Sequence, residues 1–211
     1  MNKKGVLIVI SGFAGAGKGS IVKGLLEHYP GKYALSTSAT TRSPRPGEKH
    51  GKEYYFLSVE EFEEMIQKDS LIEYANYVGN YYGTPKEYVM KQLEDGQDVI
   101  LEIEVQGALN VRKSFPDALL LFVTPPTAQI LEQRLTGRGT ETAAVVKQRM
   151  KRAYEESQMM KKYDYLIVND SLEDAIKQTH SIIQNEHLKI SQNCSFIKEI
   201  ETQLNDFYKG E

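Results

Sequence analysis

Short apolar runs recur along the chain, at Val6–Ile10, Val99–Ile103, Leu119–Val123 and Tyr165–Val168, and stretches with helical spacing separate them. Runs that are continuously apolar, rather than alternating, suit strands buried on both faces. The pattern therefore predicts an α/β fold: a parallel sheet with helices on its faces, joined by right-handed crossovers. Ser58-Val59-Glu60-Glu61 has the spacing of a capping box, and a helix is expected to start there. Thr84-Pro85-Lys86-Glu87 is expected to start another, with Thr84 as its cap and Gly96 at its stop. Ser171 caps a helix expected to run to about Lys189. Beyond it, Cys194, Ile197, Glu201, Leu204 and Tyr208, with Phe196, Ile200 and Phe207 beside them, predict an amphipathic helix. That helix either docks on the body of the chain or pairs with a second copy, a possible homodimer.

Two regions break the rhythm. Residues 36–88 hold a polar loop with Pro44, Pro46, Gly47 and Gly51, and Tyr54–Leu57 and Leu71–Tyr77 read as two of the strands of a small α+β insert. Residues 127–162 read as two helical segments around Gly137-Arg138-Gly139-Thr140, rich in arginine, which suits a mobile lid. The sheet core then comprises 1–35, 89–126 and 163–190, with 191–211 as the terminal helix.

Composition narrows the function classes. A net charge of −3 over 211 residues argues against a nucleic-acid binder, which needs a basic surface. Cys194 is the only cysteine, so neither an internal disulfide nor a cysteine zinc site can form. The apolar run behind Lys3 and Lys4 is too short for a signal peptide or a membrane span, and a cytoplasmic location is expected.

The strongest local signal is Gly12-Phe13-Ala14-Gly15-Ala16-Gly17-Lys18-Gly19-Ser20, set between the first apolar run and the helical Ile21–Leu26. Strand, glycine-rich turn and helix N-terminus together make a phosphate cradle, with main-chain N–H groups, a helix dipole and the Lys18 charge all facing one point. This predicts binding of a nucleoside polyphosphate; the plain alternative is a glycine-rich connection. In the insert, Arg42 and Arg45 stand three residues apart on a proline-stiffened loop. Guanidinium forks there could grip phosphate, or the loop could be a solvated basic turn. Tyr54, Tyr81 and Tyr82 lie nearby in sequence and can pack beside a base or serve as half-buried core rings. Glu73 is a carboxylate in an apolar strand. It could accept both N–H groups on the edge of guanine, or simply face solvent. Glu102 and Glu104 alternate with apolar residues, and both are expected on one face of a core strand, where Mg²⁺ or its waters would be held.

Taken together, these stretches resemble one family. The cradle, Ser36-Thr37-Ser38-Ala39-Thr40-Thr41-Arg42-Ser43-Pro44-Arg45-Pro46-Gly47-Glu48, Gly51-Lys52-Glu53-Tyr54, Gly79-Asn80-Tyr81-Tyr82-Gly83-Thr84, Glu102-Ile103-Glu104-Val105-Gln106-Gly107, Arg134–Thr140 and Ile167-Val168-Asn169-Asp170 look like guanylate kinase, in order, from about Gly5 to Ile183. The resemblance implies a P-loop core that moves the ATP γ-phosphoryl group to GMP or dGMP with Mg²⁺. It implies that Lys18, Arg42, Arg138 and Arg149 act in catalysis. Residues 12–20, Arg134, Asn169 and Asp170 would hold ATP. Ser38, Arg42, Arg45, Tyr54, Glu73, Tyr82, Thr84 and Glu104 would hold GMP. Ser20, and Glu102 through water, would stand at the metal.

The chain departs from the family in three places: Phe13-Ala14 replaces a common Pro-Ser, Glu104 replaces a usual Asp, and the segment after about Ile190 has no counterpart. The main rival reading is a guanylate-kinase-like module that binds protein and does no chemistry. A kinase for another monophosphate is a second. A regulatory GTPase is excluded, because neither N-K-x-D nor D-x-x-G follows the cradle.

Overall fold

A computed structural model describes residues 4–77, 79–137 and 142–210. Its core is a five-stranded sheet. The strands are β1 (Leu7–Gly12), β2 (Tyr33–Leu35), β7 (Asp98–Glu102), β8 (Leu119–Thr124) and β9 (Tyr165–Val168), in the order β2-β7-β1-β8-β9. Every pairing in it is parallel. The four apolar runs supply four of these strands. The edge strand β2 has three residues and too little apolar length to stand out in the sequence.

Both sheet faces are covered, as continuous apolar runs require. Ile8, Ile10, Ile100, Leu119 and Leu121 pack with residues of α1 (Lys18–His28) and α7 (Leu172–Glu186). Leu7, Val9, Val99, Leu101 and Leu120 pack with α3 (Lys86–Glu94) and α4 (Val105–Ser114) on the other side.

The insert forms its own four-stranded sheet. It consists of β3 (Ala39–Thr40), β4 (Tyr55–Phe56), β5 (Leu71–Tyr77) and β6 (Asn80–Pro85), ordered β4-β3-β6-β5. Helix α2 (Val59–Gln67) packs Phe62 against it and starts with the capping box read from Ser58 and Glu61. Two further helices, α5 (Ala128–Thr136) and α6 (Ala143–Ser157), cover the arginine-rich region, and Arg138 falls outside the described residues.

Several local expectations are corrected. Thr84 is not a helix cap: β6 continues through Pro85, and the Thr84 side chain is fully buried against β5. Gly96 does follow the end of α3, with φ 83° and its amide on the Leu93 carbonyl. Helix α7 stops at Glu186, where the next residue, His187, turns to place Nε2 2.9 Å from the Asp98 carboxylate at the start of β7. The terminal helix α8 (Cys194–Lys209) forms, but none of its residues is buried. It packs chiefly on the single turn Ile190–Asn193, and Leu204, Phe207 and Tyr208 face solvent, so docking on the body is not what holds it.

Gly12 shows how the sheet constrains the cradle. Its φ is 143°, and a Cβ there would lie 2.1 Å from the Val123 carbonyl oxygen of β8. Gly12→Ala is expected to force β1 and β8 apart and to cost about 3 kcal/mol, or roughly 6–12 °C in Tm. Thermal unfolding of the variant checks this.

Candidate functional site

The cradle lies where β1 meets α1, at the carboxyl ends of the central strands, the usual ligand edge of an open parallel sheet. Gly17 precedes the helix in the left-handed region, with φ 93°. Lys18 folds back over the loop, and its Nζ donates to the carbonyls of Gly12 at 2.9 Å and Phe13 at 3.3 Å. Phe13 is rooted in the core: its ring meets Phe122 edge-on at 5.0 Å, and Phe122 meets Tyr163 in the same way. The departure from Pro-Ser thus exchanges a stiff residue for an anchored one.

A second strap crosses the loop from β9. Asn169 is buried and donates through Nδ2 to the Ala16 carbonyl at 2.8 Å. Arg134, on α5, donates to the carbonyls of Asn169 at 2.9 Å and Ala16 at 3.5 Å. Asn169 and Arg134 are therefore committed to the loop's shape, while Asp170 is exposed beside them.

On the insert side, Arg42 lies 5.3 Å over the Tyr54 ring and 5.6 Å over Phe56, and Tyr54 and Tyr82 meet at 6.1 Å. Sequence reasoning gave Glu48 no role. It fills the Arg42 fork with two bonds, at 2.9 and 3.0 Å, and accepts the Arg45 amide at 2.7 Å. The guanidinium holds the Glu48 carboxyl below the usual carboxylate range. A carboxylate three residues beyond two arginines was the available clue. The Arg45 side chain is exposed and Ser38 is half-buried.

Glu73 is buried, not solvent-facing. Leu71 pairs with Pro85 and Tyr74 with Gly83, so β5 carries one extra residue against β6. This bulge breaks the alternation and turns both Ile72 and Glu73 inward. Thr84 donates its hydroxyl to Glu73 Oε1 at 2.9 Å. Burial pushes the Glu73 carboxyl up to about 7, with the Thr84 bond opposing.

Glu102 and Glu104 do not share a strand face. β7 ends at Glu102, and Glu104 occupies the N-cap of α4, because the chain turns into a helix one residue later. Burial raises the Tyr54 phenol, with the neighbouring Tyr82 adding to the rise and Arg42 opposing it. Arg149 and Arg152 of α6 line a cavity of about 630 Å³ together with Val105 and Gln106. Arg152 bonds Glu156 at 2.7 Å and stands 3.7 Å from Glu104.

Oxygen donors stand beside the cradle. Glu102 Oε1 lies 3.5 Å from where a Cβ at Gly19 would stand, and the next residue in the chain, Ser20, is exposed. Among the described residues, no group of three His, Cys, Asp or Glu side chains could hold a metal ion alone. The site suits a hard cation that brings phosphate and water as its other ligands.

Comparison with known proteins agrees with this geometry. A family model described as guanylate kinase matches residues 4–186. A guanylate kinase of Bacillus subtilis (strain 168) is 49% identical over 189 residues, covering 90% of this chain and 93% of its own. One from Halalkalibacterium halodurans is 51% identical over 187 residues, covering 89% and 91%. The solved guanylate kinase of Anaplasma phagocytophilum superposes with a TM-score of 0.74 at 30% identity, over 90% of each chain. With a P-loop core, a family model that spans residues 4–186 and relatives matched over nearly their whole length, this chain belongs to the guanylate kinase family.

Proposed function

We infer that the chain transfers the γ-phosphoryl group of ATP to GMP, giving ADP and GDP. The observation that carries this reading is the buried Glu73–Thr84 pair, which shares one fold with an intact phosphate cradle. Nothing favours the catalytically silent module: Lys18, the cradle glycines, Arg42 and Arg45 are all present. Assays of ATP turnover with GMP, dGMP, AMP, UMP and dTMP test the reading, and AMP as best acceptor would overturn it.

Residue roles follow from placement and chemistry. Residues 36–88 form the GMP side. Arg42 exchanges Glu48 for the GMP phosphate, Arg45 joins it, and Tyr54 and Tyr82 close beside them. Glu73 accepts N1–H and N2–H of guanine, with Ser38, Thr84 and Glu104 around the base. On the ATP side, main-chain N–H groups of residues 12–20 hold the phosphates, and Arg134, Asn169 and Asp170 border the nucleotide. Lys18 leaves the Gly12 and Phe13 carbonyls for a phosphate oxygen.

A GMP phosphate oxygen bonds to the γ-phosphorus as the bond to the β–γ bridging oxygen breaks, and the electron pair leaves on ADP. The acceptor is already ionised, so alignment and charge neutralisation, rather than a general base, lower the barrier. Lys18 and the lid arginines Arg138 and Arg149 supply the charge, and closure over 127–162 excludes water. Ser20 and Glu102, through water, would hold Mg²⁺, which when bound neutralises phosphate charge. A cytoplasmic setting suits these substrates, and among the described residues no helix is long and apolar enough to cross a membrane.

The pKa of Glu73 makes GMP recognition pH-dependent. Accepting two guanine N–H groups requires the ionised carboxylate, so GMP affinity rises as pH rises through about 7 and falls below it. Folding has the opposite sign. The native carboxyl holds its proton above its unfolded pKa of 4.5, so its contribution to stability is lost between about 4.5 and about 7 as pH rises. A plot of KM for GMP against pH should show the inflection near 7. The GMP phosphate also titrates, at a pKa of about 6. Glu73→Gln should remove only the inflection that belongs to the protein.

A further inference from the structure

We propose that Gly107 is a positioning residue for guanine recognition, whose bare Cα gives the second oxygen of Glu73 its seat. The proposal rests on Glu73 as the residue that reads guanine.

Gly107 is the third residue of α4 and is buried. Its φ is not positive, so backbone freedom does not account for a glycine that is a poorer helix former than alanine. Space does account for it. A Cβ there would stand 2.6 Å from Glu73 Oε2, 3.2 Å from Glu73 Cδ and 3.3 Å from Ile103 Cδ1. The carboxylate has little room to yield, because Oε1 is held by the Thr84 hydroxyl at 2.9 Å and the bulge of β5 fixes its backbone. Further along the same helix, Asn110 Nδ2 donates to the Tyr74 carbonyl at 3.0 Å and clamps β5 to α4.

Glu73 belongs to the insert and Gly107 to a helix that packs on the core sheet. The guanine-reading carboxylate therefore sits at their joint, with one oxygen fixed by β6 and the other by α4. Any side chain at 107 pushes the carboxylate off the line that guanine needs, while the ATP cradle stays untouched.

Steady-state kinetics and thermal unfolding of Gly107→Ala, Glu73→Asp and the double variant test this. Overpacking of this size should raise KM for GMP roughly tenfold or more in Gly107→Ala, with KM for ATP within about twofold of the parent. In the Glu73→Asp background the added methyl should have little further effect on KM for GMP, because the shorter carboxylate has vacated the space. Unchanged KM for GMP in Gly107→Ala, equal rises for both substrates, or penalties that simply multiply would overturn the proposal. If Gly107→Ala does not fold, folding of the double variant supports the clash, and its failure to fold overturns it. Glu73→Gln separates the two readings. If GMP discrimination survives that change, the guanine role of Glu73 falls, whereas coupling between positions 73 and 107 in thermal stability stands independently.

Discussion

Alanine at Lys18 is expected to lower kcat by about 10²–10³-fold and to leave the thermal midpoint nearly unchanged. The ammonium group donates to two loop carbonyls, at 2.9 and 3.3 Å, and its side chain is not part of the buried core. Those carbonyls hold it over the cradle without competing strongly, since a phosphate oxygen carries more negative charge than an amide oxygen. During transfer, charge moves onto the β–γ bridging oxygen, and a positioned cation in a dry site stabilises that charge more than it stabilises bound ATP. The loss should therefore fall on kcat more than on KM. Lys18→Arg should restore only part of it, because a planar fork cannot reproduce a point charge at the same depth. Turnover of Lys18→Ala within a factor of a few of the parent would falsify the assignment.

Glutamine at Glu73 is expected to raise KM for GMP by about 10²-fold, since an unmatched buried polar group costs roughly 2–3 kcal/mol. An amide presents one accepting oxygen and one donating NH₂. Against guanine N1–H and N2–H, one of the two bonds is lost and two donors are opposed. KM for ATP should hold, because Glu73 lies on the insert and not on the cradle. Stability should move the other way. A neutral amide in this buried position avoids the desolvation that raises the carboxyl to about 7, so the variant should unfold no lower than the parent at pH 8. Parallel losses for GMP and ATP would count against base reading and for a general disturbance of the cleft.

The legible parts of this chain were those governed by local rules. Apolar runs long enough to be buried marked β1, β7, β8 and β9, and the capping box at Ser58 marked α2 to the residue. Features set by a partner distant in sequence were not legible. The inward turn of Glu73 depends on a register slip against β6, which a single strand does not announce. Thr84 looked like a cap because Thr-Pro often opens a helix, yet pairing with β5 kept it in a strand. Glu104 continued an alternating pattern that the chain abandons at Glu102 to begin α4. Arg42 was legible as a phosphate-binding type of residue, but its fork lies against Glu48, and only the folded loop brings those two together. Gly107 stood in a stretch that resembles the family, but the sequence assigned it no role, because its meaning lies in the clearance it leaves to another segment.

The strap from Asn169 and Arg134 to the Ala16 carbonyl has a bearing on how nucleotide arrives. A loop already tied at its midpoint from the far edge of the sheet has little left to arrange when a triphosphate enters, so the entropy of ordering it is lost during folding and not at encounter. Damage at the end of β9, some 150 residues downstream of the loop, would then surface as slack capture of nucleotide by an otherwise sound scaffold.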